Sequence, residues 1–198
     1  MEDHASDTQG IYSPLTTDSD EIRLLVLQPS NSLNQTIECT LSIANISSRP
    51  TYEALSYMWG PDDLRGSWYI RMNGEHFAIR ENLFRALRSL RHGHEPRVLW
   101  IDALCINQKS ILERGHQVRQ MGEVYSTAKQ VIVWLGKHQQ SSSLRGKDPL
   151  YLLKWLELRD NATLAIDAME VLQILSRNEY WQRLWIVQEI YMAKSIII

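Results

Sequence analysis

The sequence predicts an α/β domain: a mainly parallel sheet with flanking helices, an inserted β-hairpin and a helical insertion. Three observations carry that prediction. First, residues 98–136 read end to end as strand, helix, strand. The apolar runs 98–101, closed by Asp102, and 131–135, closed by Gly136, are uninterrupted, as in strands buried on both faces. Second, the segment between them carries a helix signature: Ser110 followed by Glu113 is a capping box, and Ile111, Val118, Met121, Tyr125 and Ala128 recur at helical spacing. Third, Asn73-Gly74 between two short apolar runs is a strong hairpin signal. Parallel strands joined by a helix wind right-handed, and such sheets bind ligands beyond the carboxyl ends of their strands. Asp102, Cys105, Asn107 and Gln108 fall at that edge.

Taken in order, residues 1–20 are polar and acidic with little to bury, and read as a disordered tail outside the core. Strands are expected over 22–27 and 36–46, the second with Ile37, Cys39, Leu41 and Ile43 alternating onto one face. A strand over 52–59 is closed by Gly60 and Pro61, and hairpin strands 68–72 and 76–79 follow. Asn82 is placed to cap a helix whose apolar face is Leu83, Phe84, Leu87 and Leu90; Arg85, Arg88 and Arg91 share another face, read first as solvated. Within the 110–128 helix, Gly115 and Gly122 cost helix propensity and are expected to face close neighbours. Beyond Gly136 come a loop, helical periodicity over 149–159 and 163–177, and a last helix over 180–193 with Trp181, Trp185, Gln188 and Met192 along one side. Residues 195–198 resemble the opening of a further strand in a longer protein. In the expected sheet, 53–58, 98–102 and 131–135 are neighbours, with the strands before residue 50 and the hairpin at its margin.

With 198 residues and 44% hydrophobic content the chain can bury one substantial core, so one domain is expected over 21–198, with core blocks 51–136 and 180–198 and a helical insertion over 137–179. A net charge of −2 and a pI near 6.3 argue against nucleic acid and anionic membranes as partners. Two distant cysteines, Cys39 and Cys105, read as reduced thiols. The N-terminus lacks a signal pattern, and no apolar run approaches the roughly 18 residues of a membrane span, so a cytoplasmic location is expected. The six histidines show no metal-ligand spacing, and there is no glycine-rich phosphate loop.

Six blocks in order, TYEALSYMWG, NG, ENLFRALRSLR, LWIDALCINQ, ERGHQV and YWQRLWIVQEI, resemble the heterokaryon-incompatibility (HET) domain of filamentous fungi from about residue 51 onward. The resemblance implies a fungal cytoplasmic protein acting in nonself recognition and programmed cell death. It names no chemistry by itself. The same blocks are more distantly similar to Toll/interleukin receptor (TIR) domains, whose enzymatic members cleave NAD at the nicotinamide ribosyl bond. Ser56, Tyr57, Met58, Trp59, Gly60, Asp62 and Asp63 resemble the TIR loop after the first strand, without its arginine and with a hairpin inserted. Trp100, Ile101 and Asp102, then Gly115, then the 131–135 strand are similar to a second TIR block, and Trp185 followed by Glu189 resembles the helix that carries the catalytic glutamate.

The resemblance therefore makes Glu189 the candidate catalytic residue, Ser56, Tyr57, Trp59, Gly60, Asp102 and Trp185 candidate substrate-binding residues, and NAD a substrate rather than a held cofactor. Each residue also has a plainer reading. Trp185 and Glu189 simply share a helix face; a Glu189 that served only the core would be paired with a cation such as Arg183 or Arg119. Asp102 could orient a ribose hydroxyl or cap a turn, and Glu113 is explained by helix capping. Cys105 with His116 would be a thiol nucleophile and base, but nothing in the sequence orients the pair. Two function classes stand: an NAD-cleaving death effector, and a non-catalytic module that self-associates, as a homo-oligomer, when a partner domain or sensor protein detects nonself. Seven tryptophans, including Trp68, would serve an interface as readily as a base-stacking site.

Overall fold

A computed structural model of the chain describes residues 10–16, 18–32, 34–60, 68–136, 176–183 and 185–198. Its strands are β1 (Glu21–Leu27), β2 (Glu38–Asn45), β3 (Glu53–Tyr57), β4 (Trp68–Met72), β5 (Glu75–Ile79), β6 (Arg97–Trp100), β7 (Gln130–Trp134) and β8 (Ile196–Ile197). They form one sheet in the order β5-β4-β2-β1-β6-β3-β7-β8. Among the described residues four helices accompany it: α1 (Glu81–Leu90), α2 (Asp102–Cys105), α3 (Ile111–Thr127) and α4 (Ile186–Tyr191).

The expected trio is present, since β3 pairs in parallel with β6 on one side and β7 on the other. The sheet as a whole, however, is mixed rather than mainly parallel: β1 runs antiparallel to both β2 and β6, and β4 to β5. Nor do the strands before residue 50 sit at the margin. β1 lies in the interior of the sheet between β2 and β6, and its burial follows from that, with Ile22 and Leu25 fully buried. The hairpin does take the edge; Asn73 and Gly74 both adopt positive φ (52° and 86°), the turn that matches strand twist.

Of the expected tail, residues 1–9 and 17 lie outside the described residues, but Ile11 and Tyr12 join the core. Ile11 is buried, Tyr12 packs edge-on against Phe77, and the Asn73 amide donates to the Ile11 carbonyl. The alternation in β2 fades along the strand: Ile37 and Cys39 are buried, whereas Ile43 is exposed. Asn82 does not cap α1, whose N-cap is Arg80; its side chain joins the Met58 carbonyl to the Trp134 indole instead. Trp68, expected at the surface, is half-buried against Phe84.

In α3 the Ser110 hydroxyl accepts from the Glu113 amide, as the capping signature requires, but the Glu113 carboxylate does not return the bond. It accepts from the Asn107 amide at 2.7 Å and pairs with both terminal nitrogens of Arg23. The inward face is Gln117, Met121, Val124 and Tyr125; Ile111 is exposed. The packing role for the glycines fails too. A Cβ at Gly115 would meet nothing within 4 Å, and one at Gly122 only the Met192 methyl at 4.0 Å.

The expected helix over 180–193 is broken into a 3-10 turn, Glu179–Gln182, and the short α4. Its buried residues are Tyr180, Ile186 and Glu189, whereas Trp181, Trp185 and Met192, expected along one side, are exposed. β8 pairs in parallel with β7. The insertion over 137–175, including the helix expected at 149–159 and nearly all of that expected at 163–177, lies outside the described residues, as do Asp62 and Asp63.

Candidate functional site

Because β3 and β6 run parallel, the segments following them emerge at the same edge of the sheet, and this brings Trp59 to Asp102. Asp102 opens α2 directly after β6, where its carboxylate accepts from the Ala103 amide (2.7 Å) and from the Trp59 indole N–H (2.9 Å). The loop after β3 is held from α1: Asn82 donates to the Met58 carbonyl and Arg80 to the Gly60 carbonyl, while the Arg80 guanidinium lies 5.2 Å from the Trp59 ring centroid. Gly60 has φ of 76°, a conformation that side chains beyond glycine rarely take. Burial pushes the Asp102 carboxyl up to about 6; the Trp59 and Ala103 donors oppose the shift and the charge of Glu189 adds to it.

α4 carries Glu189 beneath the same edge. Its side chain is 1% exposed, and its carboxylate is forked by Arg183, with Nη2 to Oε1 at 2.8 Å and Nη1 to Oε2 at 3.0 Å. Ser56, fully buried on β3, donates its hydroxyl to the same carboxylate and also shares a hydrogen bond with the Tyr180 hydroxyl. This is the arrangement expected of a carboxylate paired for the core, with Arg183 rather than Arg119 as the cation. Burial works against the charge on Arg183, but the adjacent Glu189 outweighs it and the guanidinium is held above its ordinary range. Burial likewise raises the Tyr180 hydroxyl to about 12 and the Tyr57 hydroxyl well above 10.

A pocket of about 480 Å³ opens over this pair, lined by Trp59, Gly60, Asp102, Trp185, Arg183 and Glu189 on one part and by Gln108, Arg114 and Met121 on another. Of the residues named from sequence, Trp59, Gly60, Asp102, Trp185 and Glu189 therefore meet at one cavity. Ser56 supports its floor through Glu189, and Tyr57 faces a smaller cavity of about 190 Å³ that shares Trp59 and Gln108 with the first. The surface offers indole rings from Trp59 and Trp185, two guanidiniums from Arg114 and Arg183, and the Asp102 carboxyl, which burial raises to about 6. Planar rings and anionic oxygens suit such a surface. Sequence reasoning placed no substrate-binding role on Arg114 or Arg183. Arg114 sits on the predicted helix, but its partners across the pocket are remote in sequence, and Arg183 sits six residues from Glu189, a spacing that no helix face brings together.

Other candidates are accounted for. The Cys105 thiol is fully buried, receives the Ile101 amide at 3.3 Å and is raised by burial to about 12, which removes the thiolate a nucleophile needs. His116 instead contacts the Ser19 carbonyl and the Gln120 amide. Arg91 donates to carbonyls of Ser32, Gln35 and Thr36, and Arg85 pairs with Glu81, so these two arginines are already engaged. Among the described residues no cluster of His, Cys, Asp or Glu could hold a metal, and no helix is long and apolar enough to cross a membrane.

Comparison with known proteins gives two matches. The family model described as heterokaryon incompatibility protein (HET) matches residues 52–189. A curated protein of Neurospora crassa, heterokaryon incompatibility protein 6, OR allele, is 33% identical over 229 residues, covering 92% of this chain. The chain spans 33% of that relative's length. No solved structure matches.

Proposed function

The chain belongs to the heterokaryon-incompatibility family, and from that premise we propose that it is the effector portion of a fungal protein of nonself recognition, whose pocket binds NAD and cleaves it at the nicotinamide ribosyl bond. The observation that supports this reading is the meeting of residues remote in sequence, Trp59 and Gly60, Asp102, and Arg183, Trp185 and Glu189, at one pocket. In the reaction the C1′–N bond breaks and its electron pair returns to the nicotinamide ring, leaving an oxocarbenium-like sugar that a carboxylate stabilises until water attacks C1′ and releases a proton. Glu189 is assigned that role, Asp102 is assigned a ribose hydroxyl, and the indoles of Trp59 and Trp185 cover the rings and exclude water. NAD consumption by the complete protein, multimerised, tests the assignment. Glu189→Gln keeps an acceptor for Arg183 and Ser56, so it is expected to fold and to abolish both NAD loss and cell death.

A second reading has its own observation. Glu189 is already satisfied by Arg183 and Ser56, while Trp181, Val187, Tyr191 and Met192 are exposed next to it. Those features suit a module that signals by self-association with no reaction. Full toxicity from a stably expressed Glu189→Gln variant would favour it.

A further inference from the structure

We propose that Arg183 is a displaceable cap on Glu189, and that the group which displaces it is a phosphate or pyrophosphate of the ligand. The proposal rests on the reading of this pocket as a nucleotide site and specifies how that site is opened. In the described arrangement the Glu189 oxygens are occupied by two guanidinium N–H groups and the Ser56 hydroxyl. The Glu189 side chain is 1% exposed and that of Arg183 18%, and both line the pocket, so the guanidinium is the more accessible member of the pair. A carboxylate held this way is poorly suited to stabilise a cationic sugar, because the guanidinium beside it cancels its field.

Chemistry at Glu189 therefore needs the fork to open, and opening it alone leaves a buried charge without a partner. A ligand offsets the arginine's share of that cost by giving Arg183 a substitute of matching geometry. Phosphate oxygens provide one, since a guanidinium binds phosphate through the same paired N–H groups it offers a carboxylate. The pocket has a second cation for a diphosphate. Arg114 lines it, is exposed, and among the described residues makes only a 3.5 Å contact to the Gln108 carbonyl. A neutral nucleoside has nothing to exchange for Glu189. The site thus discriminates between phosphorylated and unphosphorylated ligands at the step that uncovers the carboxylate.

The pairing makes an unusual demand on the candidate catalytic variant. While Arg183 is bound to Glu189, apparent affinity for an anion is reduced by the fraction of molecules in which the cation is free. Neutralising Glu189 removes that competition. Calorimetric titration of the full chain with ADP and with adenosine is expected to show ADP binding about tenfold tighter in Glu189→Gln than in wild type, with adenosine unchanged within about twofold. Arg183→Gln is expected to weaken ADP binding by a similar factor. The double variant Arg183→Gln/Glu189→Gln, which leaves no buried charge at the pair, supplies the comparison should the single arginine variant fail to fold. ADP affinity unchanged or weakened in a folded Glu189→Gln protein would overturn the cap and make the pair purely structural. NAD turnover separates the two ideas. Turnover without tightening removes the cap and leaves the proposed reaction, whereas tightening without turnover retains the cap and removes the reaction.

Discussion

Replacing Glu113 by Ala should be among the most destabilising changes in the described fold, although its sequence context suggests only a helix cap. Arg23 is buried, with a side chain 1% exposed, and Glu113 supplies both oxygens to it, Oε1 to Nη1 at 2.5 Å and Oε2 to Nη2 at 3.0 Å. The rest of the guanidinium is taken by the carbonyls of Ser13 and Cys105. These bonds join the N-terminal segment, β1, the loop after α2 and the start of α3. Removing the carboxylate leaves an uncompensated charge, a loss of about 3–5 kcal/mol, and also frees the Asn107 amide that Glu113 accepts from. Replacing Arg23 by Met as well removes the stranded charge, so the double variant should recover about 2 kcal/mol relative to the sum of the single losses. It should not reach wild type, because the Ser13 and Cys105 carbonyls lose their donor. Urea titration with a constant m-value reads each stability. A loss below about 1 kcal/mol for Glu113→Ala, within the range of exposed ion pairs, or strict additivity in the cycle, would refute the argument.

Two further outcomes follow from the same geometry. Gly115→Ala should stabilise α3 by about 0.5–1 kcal/mol, since the added methyl enters open space and only helix propensity changes; a lower melting temperature would restore the packing explanation. Asp102 titrates at about 6 in the fold against its ordinary 3.8, so its proton is held more tightly folded than unfolded. Its contribution to stability is complete below pH 3.8 and lost as pH rises through 6. Asp102→Asn should therefore gain up to about 3 kcal/mol on wild type at pH 7.5 and nothing at pH 3.5; an equal loss at both pH values would show that the Trp59 bond, not the charge, governs this site.

What was legible in the sequence follows from what is local. The β6, α3 and β7 unit, the Asn73-Gly74 turn and the Ser110 cap are each specified by neighbouring residues, and each formed as expected. The interior place of β1 was not legible, because a short, mostly apolar strand reads the same at an edge as between two partners. The last helix misled for a related reason. Its large side chains, Trp181, Trp185 and Met192, lie exposed, and the face that is buried carries Glu189, whose burial is compensated by Arg183 and Ser56. Periodicity ranks residues by hydrophobicity and has no means of scoring a charge satisfied from another part of the chain.

That same feature links the two readings of function. A buried bidentate pair is modest support for stability, since well-packed apolar residues of similar volume often do as well or better. Here the pair lies directly under a pocket that carries a second arginine and two indoles, and its carboxylate is held by a serine from the strand at the centre of the parallel trio. On the proposed cap, an apolar replacement would preserve the core and lose the capacity to switch: with Arg183 on Glu189 the pair is neutral, and with Arg183 on an anion the carboxylate becomes available. If Arg183→Met/Glu189→Leu equals wild type in stability while anion binding is lost, the charges are retained for the ligand rather than for the fold. If that double variant loses several kcal/mol, the pair belongs to the core, and the account of this family member as an assembling module becomes the stronger one.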